Sequence, residues 1–183
     1  MQAAHAFANA ERYDRHAGRL AARLYAKVVA DAAASGLPDG ARVLDAGTGP
    51  GRIPRDLAML RPGWTVDAVD LEPRMIDFAR RQDIHGRVTF AVGDVAALPY
   101  PDETFDLIVS SISQHHWDDV EGGIRDLRRV LRPGGRLWIY DARWALRRAL
   151  RVAEKTFDSV RKEPVPIGHW PLSMLVARLS ARA

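Results

Sequence analysis

Cysteine is absent from this chain of 183 residues. The protein therefore forms no disulfide bonds, holds no metal through cysteine sulfur and uses no thiolate nucleophile. Long apolar runs are missing as well, since no stretch approaches the roughly 18–20 residues that would span a bilayer. The first residues also lack the basic start and apolar block of a secretory signal. We accordingly expect a cytoplasmic protein without a membrane span.

Lysine is scarce, because only Lys27, Lys155 and Lys162 are lysines among the 27 basic residues. The formal net charge of +4 would suit a nucleic-acid partner. The arginines, however, recur at helical spacing without the interleaved aromatic residues that stack on bases. We interpret them as solvated helix faces, which argues against a nucleic-acid partner. The two clusters are Arg12, Arg15, Arg19 and Arg23, and Arg143, Arg147, Arg148 and Arg151.

Glycine is concentrated in one turn of the sequence. An apolar run at 42–44 leads to Asp45, and Gly47, Gly49 and Gly51 follow at alternate positions. The pattern predicts a buried strand and a tight turn into a helix. Because glycine has no Cβ, a ligand can lie against this backbone, at the end of the strand where open α/β sheets bind ligands. The spacing is not that of G-x-G-x-x-G dinucleotide sites, and Asp45 suits a cationic amino-acid group better than a pyrophosphate.

A second predicted strand, at 64–70, ends in another acid. Asp70 lies 23 residues after Gly47, near the ~20-residue interval at which an acid reaches ribose hydroxyls in doubly wound folds. Glu72 is a weaker candidate for that role. It precedes a helix predicted near Arg74–Arg81, and an acid at a helix N-terminus has a structural explanation.

Two further strands complete the pattern. The strand at 88–92 is followed by Asp94, and the strand at 107–111 ends in Ser110 and Ser111. If the strands are parallel, their carboxyl ends lie side by side on one edge of the sheet. The sequence thus predicts an α/β fold, a Rossmann-like open and mostly parallel sheet with helices on both faces.

Four blocks in order, within about residues 40–142, resemble the class I S-adenosylmethionine-dependent methyltransferases. The likeness is greatest to the ubiquinone/menaquinone-biosynthesis-like (methyltransferase type 11) subgroup. One glycine turn is weak evidence, whereas four ordered blocks are specific. Thr48 stands where relatives often carry cysteine, a difference that leaves the turn intact. The blocks are V-L-D-A-G-T-G-P-G from Val43, A-V-D-L-E-P-R-M from Ala68, G-D-V-A-A-L-P-Y-P-D-E-T-F-D from Gly93 and L-R-R-V-L-R-P-G-G-R-L from Leu127.

The resemblance implies S-adenosyl-L-methionine as the cofactor, S-adenosyl-L-homocysteine as the product, and no metal. It implies that Asp45 binds the ammonium group of the methionine moiety. The residues expected around that moiety are Asp45, Ala46, Gly47, Thr48, Gly49 and Gly51.

The resemblance also assigns the nucleoside part of the cofactor. Asp70 would accept hydrogen bonds from both ribose hydroxyls. Leu71 and Met75 would pack beside the ribose and the adenine. Asp94 would bind the adenine amino group, and the backbone of Val95 would bind the ring.

Candidates near the transferred methyl group are fewer, because methyl transfer needs alignment and sometimes proton removal but no covalent intermediate. Ser110 or Ser111 would face the sulfonium side, and Tyr13 would touch the cofactor or substrate from an N-terminal lid. His115 and His116 are the best general-base candidates, because they follow the fourth strand and histidine titrates near neutral pH. We slightly prefer His115.

We expect one domain over residues 1–183, since 47% hydrophobic and 27% charged residues are typical of a globular protein. It would comprise an N-terminal helical lid at 1–40, a cofactor-binding core at 41–142, and a C-terminal helix with closing strands at 143–183. The resemblance implies that the last strand is antiparallel to the rest. Further predicted helices lie at 3–36 (broken near Gly18), 119–131 and 142–154, a fifth strand lies at 136–141, and the closing strands lie at 157–165 and 172–179.

The expected function is transfer of a methyl group to O, N or C of a small-molecule acceptor. Missing cysteine excludes thiolate-dependent cytosine C5-methylation. Ser-Ser-Ile-Ser at 110–113, in place of Asn/Asp-Pro-Pro-Tyr, disfavours methylation of adenine or glutamine amino groups. Alternatives are an S-adenosylmethionine-binding protein or partner subunit without activity, an RNA methyltransferase, and a dehydrogenase disfavoured by its glycine spacing. A homodimer or a capping partner stays open.

Overall fold

Strands and helices alternate along the described part of the chain. The computed structural model describes residues 18–167 and 175–183. In those ranges the strands are β1 Arg42–Ala46, β2 Thr65–Asp70, β3 Val88–Val92, β4 Phe105–Ser111, β5 Leu131–Ala142, β6 Ser159–Pro164 and β7 Val176–Arg182. The helices are α1 Gly18–Ala33, α2 Arg52–Leu60, α3 Pro73–Gln82, α4 Val120–Val130 and α5 Leu146–Thr156, and a 3-10 turn covers Gln114–His116.

All seven strands form one sheet in the order β3-β2-β1-β4-β5-β7-β6. Strands β1 to β5 pair in parallel, and β7 runs antiparallel to both of its neighbours. The predicted Rossmann-like sheet with an antiparallel C-terminal strand is therefore confirmed. Because the chain moves outward from β1 to β3 and then returns to β4, a crevice opens where the order reverses, beside the carboxyl ends of β1 and β4.

Helices cover both faces of the sheet, as predicted. Side chains alternate along β4, so Leu107 and Val109 pack on the face covered by α1 and α2, whereas Ile108 packs beneath α4 and α5. Helix α3 lies on the α1 face, where Ile76 and Ala79 contact β2 and β3. The sheet is thus buried on both sides, which leaves its edges and strand ends for binding.

Local signals explain where two of the helices begin. Pro73 occupies the first turn of α3, and the Glu72 side chain accepts a hydrogen bond from the Arg74 backbone N–H at 3.2 Å. Asp119 caps α4 by accepting one from the Gly122 N–H at 2.9 Å. None of the helices in residues 18–167 and 175–183 is long and apolar enough to cross a membrane.

Several boundaries differ from the sequence predictions. Strand β5 begins at Leu131, before the Pro-Gly-Gly sequence that was expected to precede it, because a bulge absorbs these residues between the pairs Phe105↔Leu131 and Leu107↔Arg136. Helix α5 begins at Leu146 instead of 142, and β7 extends to Arg182. The first piece of the predicted N-terminal helix and the start of the second closing strand lie outside the described residues.

Candidate active site

A cleft of about 470 Å³ lies at the carboxyl ends of β1, β2 and β4. This is the edge of the sheet on which the sequence placed its acids and paired serines. Among the described residues, the lining contains six carboxylates and one guanidinium. These are Asp45, Asp70, Glu72, Asp94, Asp118 and Asp119, and Arg52. Such a lining disfavours a pyrophosphate and suits a ligand that carries positive charge and hydroxyl groups.

All three glycines of the turn after β1 have left-handed backbone angles, and two of them also allow another segment to pack closely. Gly47, Gly49 and Gly51 have φ angles of 74°, 54° and 74°, in the left-handed region that glycine occupies readily. A Cβ on Gly47 would lie 1.8 Å from the Ser113 Oγ, so this glycine lets the segment after β4 pack on the turn. A Cβ on Gly51 would lie 2.8 Å from Ala79, so this one lets α3 approach. Gly47 and Gly49 line the cleft.

Asp45 is the most deeply buried acid of the cleft, with 1% of its surface exposed. Its Oδ2 accepts a hydrogen bond from the Thr48 hydroxyl at 2.6 Å. Its Oδ1 is buried and has no hydrogen-bond partner among the described residues. Burial raises the pKa of Asp45 to about 7. A buried carboxylate oxygen without a donor is what a cationic amino group of a ligand would satisfy.

Asp70 ends β2 and ties the glycine turn to α3. Its Oδ2 accepts a hydrogen bond from the Gly49 N–H at 2.7 Å, and its Oδ1 accepts one from the Glu72 N–H at 2.9 Å. Burial raises the pKa of Asp70, although both of these bonds oppose the shift. Each carboxylate oxygen keeps a second lone pair, so the residue can still accept hydrogen bonds from hydroxyl groups.

The remaining residues assigned to the nucleoside also border the cleft. Leu71, with 65% of its surface exposed, is a large apolar side chain left open there. Met75 and Val95 are buried. Asp94 is exposed, and its Oδ1 accepts a hydrogen bond from the Ala96 N–H at 2.9 Å.

Other predicted residues lie beside the cleft without lining it. Ala46, Gly51, Ser110 and His115 do not line it, whereas Ser111 does. The two serines differ because neighbouring side chains of β4 point to opposite faces of the sheet. Both serine hydroxyls are buried without a hydrogen-bond partner in the described part of the chain. Tyr13 lies outside the described residues.

The two histidines have different surroundings. His115 Nδ1 lies 3.0 Å from both carboxylate oxygens of Asp141, whose Oδ2 also accepts the His115 backbone N–H at 3.1 Å. The bond to Asp141 raises the pKa of His115. His116 lines the cleft, and its ring centroid lies 3.9 Å from that of His115. Burial and the neighbouring His115 lower the pKa of His116. These surroundings therefore stabilise the charged form of His115 and the neutral form of His116.

Sequence reasoning missed three contributors to this region. Asp141 is the second-last residue of β5, so the signal that identified Asp45 and Asp70, an acid at the end of an apolar strand, was also present there. Trp117 lines the cleft and donates from Nε1 to the Ser113 Oγ at 3.1 Å. Ile112 lines it with a φ of 51°, a left-handed conformation that is rare for a β-branched residue.

Comparison with known proteins adds independent findings. Residues 44–139 match a family model described as "Methyltransferase domain". The chain is 39% identical over 107 residues to the demethylmenaquinone methyltransferase of Tropheryma whipplei, covering 56% of this chain and 42% of that protein. It is 39% identical over 106 residues to the 27-O-demethylrifamycin SV methyltransferase of Amycolatopsis mediterranei, covering 56% and 39%. The solved structure of a TehB-like SAM-dependent methyltransferase from Corynebacterium glutamicum aligns with a TM-score of 0.73 and 26% identity, over 98% of both chains.

The fold, the cleft and the family match define a class I S-adenosylmethionine-dependent methyltransferase domain. The chain belongs to the methyltransferase domain family, which confirms the resemblance drawn from the four sequence blocks. It spans about two fifths of the length of the curated relatives it matches, which are covered to 42% and 39%.

Proposed function

We propose that this protein transfers a methyl group from S-adenosylmethionine to O, N or C of a small-molecule acceptor. The observation that carries the proposal is the buried Asp45 carboxylate, which lacks a cationic partner among the described residues and stands over a glycine turn. The cofactor has an ammonium group that would supply the missing charge. Family membership supports the same cofactor.

In this proposal, residues at the carboxyl ends of β1, β2 and β3 each bind a different part of the cofactor. Asp45 binds the ammonium group, and Asp70 accepts hydrogen bonds from the ribose hydroxyls. Leu71 packs beside the ribose, and Asp94 accepts a hydrogen bond from the adenine amino group. When bound, the cofactor supplies a methyl group already activated by its sulfonium.

We further propose that His116 removes the acceptor proton and that Asp141 and His115 position it. The sequence slightly favoured His115 as the base. His116 is the better choice because it lines the cleft and its surroundings favour the neutral, proton-accepting form. His115 is held by Asp141 and would keep the His116 ring in place through their contact.

A small-molecule acceptor fits the short spacers of the cofactor-binding core. The spacers between the core elements are short and leave little room for a macromolecule-recognition domain. The two relatives are named for the methylation of demethylmenaquinone and of 27-O-demethylrifamycin SV. We therefore propose an acceptor of that size class.

Calorimetry with S-adenosylmethionine and S-adenosylhomocysteine tests the cofactor assignment directly. Asp70→Asn should weaken both ligands at least tenfold, because hydrogen bonds to a charged group contribute about 1.5–3 kcal/mol each. Glu72→Gln is the matched control, since Glu72 lines the same cleft but caps α3, and it should change affinity less than threefold or so. Binding of NAD in preference to either ligand, or equal effects of the two variants, would contradict the assignment.

Turnover with an acceptor from a small-molecule screen tests the catalytic assignment. His116→Gln should lower kcat roughly a hundredfold, within the range for general-base catalysis, with cofactor affinity retained. His115→Gln should lower kcat less and shift its pH profile. Cofactor binding without turnover on any acceptor would favour the alternative of a binding protein or partner subunit.

A further inference from the structure

Helix α5 carries basic side chains without acidic partners. Its exposed face presents Arg147, Arg148, Arg151 and Lys155, and Glu154 is the single acid of the helix. Within the described residues no ion pair involves these four cations. On the neighbouring helix α4, by contrast, Arg129 is neutralised, because it pairs with Asp126 at 2.6 Å and with Asp102 at 2.8 Å. The exposed side of α5 therefore carries four cations against one acid.

Two large apolar side chains are exposed beside these cations. Trp144 has 67% of its surface exposed and Leu175 has 60%. The backbone N–H of Arg143 donates to the Leu175 carbonyl at 2.9 Å, which holds the two segments together. Large apolar side chains exposed on two paired segments are candidates for an interaction surface.

This surface adjoins the cleft. The Trp144 ring centroid lies 6.4 Å from that of His115, which in turn contacts His116 on the cleft wall. Helix α5 begins just after the carboxyl end of β5, on the same edge of the sheet as the cleft. Anything that binds the surface would lie beside the histidine side of the cleft.

We propose that Trp144, Leu175, Arg147, Arg148, Arg151 and Lys155, together the α5 patch, dock the protein on an anionic phospholipid bilayer. Guanidinium and ammonium groups match the phosphates of such a surface, and clusters of basic side chains are attracted to anionic lipid. Tryptophan is enriched at the membrane–water interface, and an exposed leucine gains by entering the acyl region. An RNA backbone would match the charges but offers nothing apolar to Leu175. The proposal does not depend on the methyl-transfer assignment.

Vesicle flotation of the full chain tests this docking. The protein should float with vesicles of phosphatidylcholine mixed with phosphatidylglycerol, should not float with phosphatidylcholine alone, and should be released by high salt. The triple variant Arg147→Gln, Arg148→Gln, Arg151→Gln should partition roughly a hundredfold less onto the anionic vesicles. Trp144→Ala should reduce partitioning severalfold without changing net charge.

A charge-matched control separates the patch from general attraction. The triple variant Arg81→Gln, Arg87→Gln, Arg125→Gln removes three exposed charges from other surfaces and should float like the wild type. Equal losses in the two triple variants would overturn the proposal. So would the absence of flotation, and so would binding to single-stranded RNA that depends on the same arginines without any binding to anionic vesicles.

Discussion

Acids at the two ends of the sheet differ in whether a basic side chain pairs with them. Toward the amino ends of the strands, Asp67 is 2% exposed and is paired with Arg42, whose Nε and Nη2 lie 3.0 and 3.2 Å from its carboxylate. At the carboxyl ends, Asp45 is buried and Asp70 is half-buried, but neither pairs with a basic side chain of the described residues. Burial raises the pKa values of Asp45 and Asp70. The bond to Asp67 instead raises the pKa of Arg42, so the charges of that pair stabilise each other.

The difference separates structural acids from binding acids. Placing a charge in a protein interior costs free energy unless a counter-charge compensates it, so an uncompensated acid lowers stability in the absence of a ligand. Asp67 carries its compensation within the fold. Asp45 lacks it, and a cationic ligand would supply it. Three variants test whether acids with and without a counter-charge affect stability differently.

Asp67→Asn should give the largest loss of stability. We expect the free energy of unfolding to fall by about 2 kcal/mol, because a buried hydrogen-bonded charge is lost and Arg42 keeps partial access to water. Chemical denaturation at pH 7 measures this. Cofactor affinity should stay unchanged, since Asp67 does not line the cleft. Asp77→Asn, which removes an exposed pair with Arg80, should cost less than about 0.5 kcal/mol.

Asp45→Asn should raise the free energy of unfolding, the opposite of the effect of Asp67→Asn. A carboxyl whose pKa rises from 3.8 to about 7 on folding contributes full stability below pH 3.8 and loses it as pH rises through 7. The variant should therefore match the wild type near pH 4 and exceed it near pH 8, by up to the ~4 kcal/mol that a shift of this size represents. Denaturation curves at the two pH values test this. A variant less stable than wild type at pH 8 would mean that Asp45 is compensated within the fold.

Asp141→Asn tests an acid that lies at the carboxyl edge of the sheet but has a partner, His115. Because the pKa of His115 is raised on folding, the stability that this pair contributes is present below the unfolded pKa of about 6.5 and disappears as pH rises through the folded value. The cost should be about 0.5–1 kcal/mol at pH 6 and smaller at pH 9, since His115 is partly solvated. A cost independent of pH would contradict an ionic pair.

Glu103→Gly should give the smallest effect. Glu103 precedes β4 with a φ of 52°, as Ile112 follows it with a φ of 51°. Relief of this left-handed strain should raise the free energy of unfolding by about 0.5 kcal/mol, offset in part by glycine's flexibility. Glu103 is outside the cleft, so cofactor affinity should not change, whereas Ile112→Gly should weaken it. Paired denaturation and calorimetry compare the two positions.

Local patterns were enough to predict much of this molecule. Apolar runs closed by Asp45 and Asp70 gave two strands and the binding edge of the sheet, because burial and turn chemistry act over a few residues. The antiparallel last strand came from the family resemblance. Contacts between distant segments were beyond such patterns, as with Asp141, which lies 26 residues from His115.

Side-chain direction was the other limit. The sequence could not separate Ser110 from Ser111, because the faces of a strand are assigned only when its neighbours are known. The preference for His115 over His116 as the base stays a prediction, which we replace by the proposal of His116 because the 3-10 turn after Ile112 places His116 on the cleft wall. The start of β5 at Leu131 depended on a bulge that pairs it with Phe105 across the sheet.

The pH dependence of S-adenosylhomocysteine binding tests the central claim most directly. If Asp45 is an uncompensated carboxylate that binds the ammonium group, wild-type affinity should rise up to about tenfold per pH unit toward pH 7 and level off above it. Asp45→Asn should bind more weakly at every pH and show no such rise. Wild-type affinity that is flat between pH 5.5 and 8, or a variant that binds as tightly as wild type, would contradict the claim.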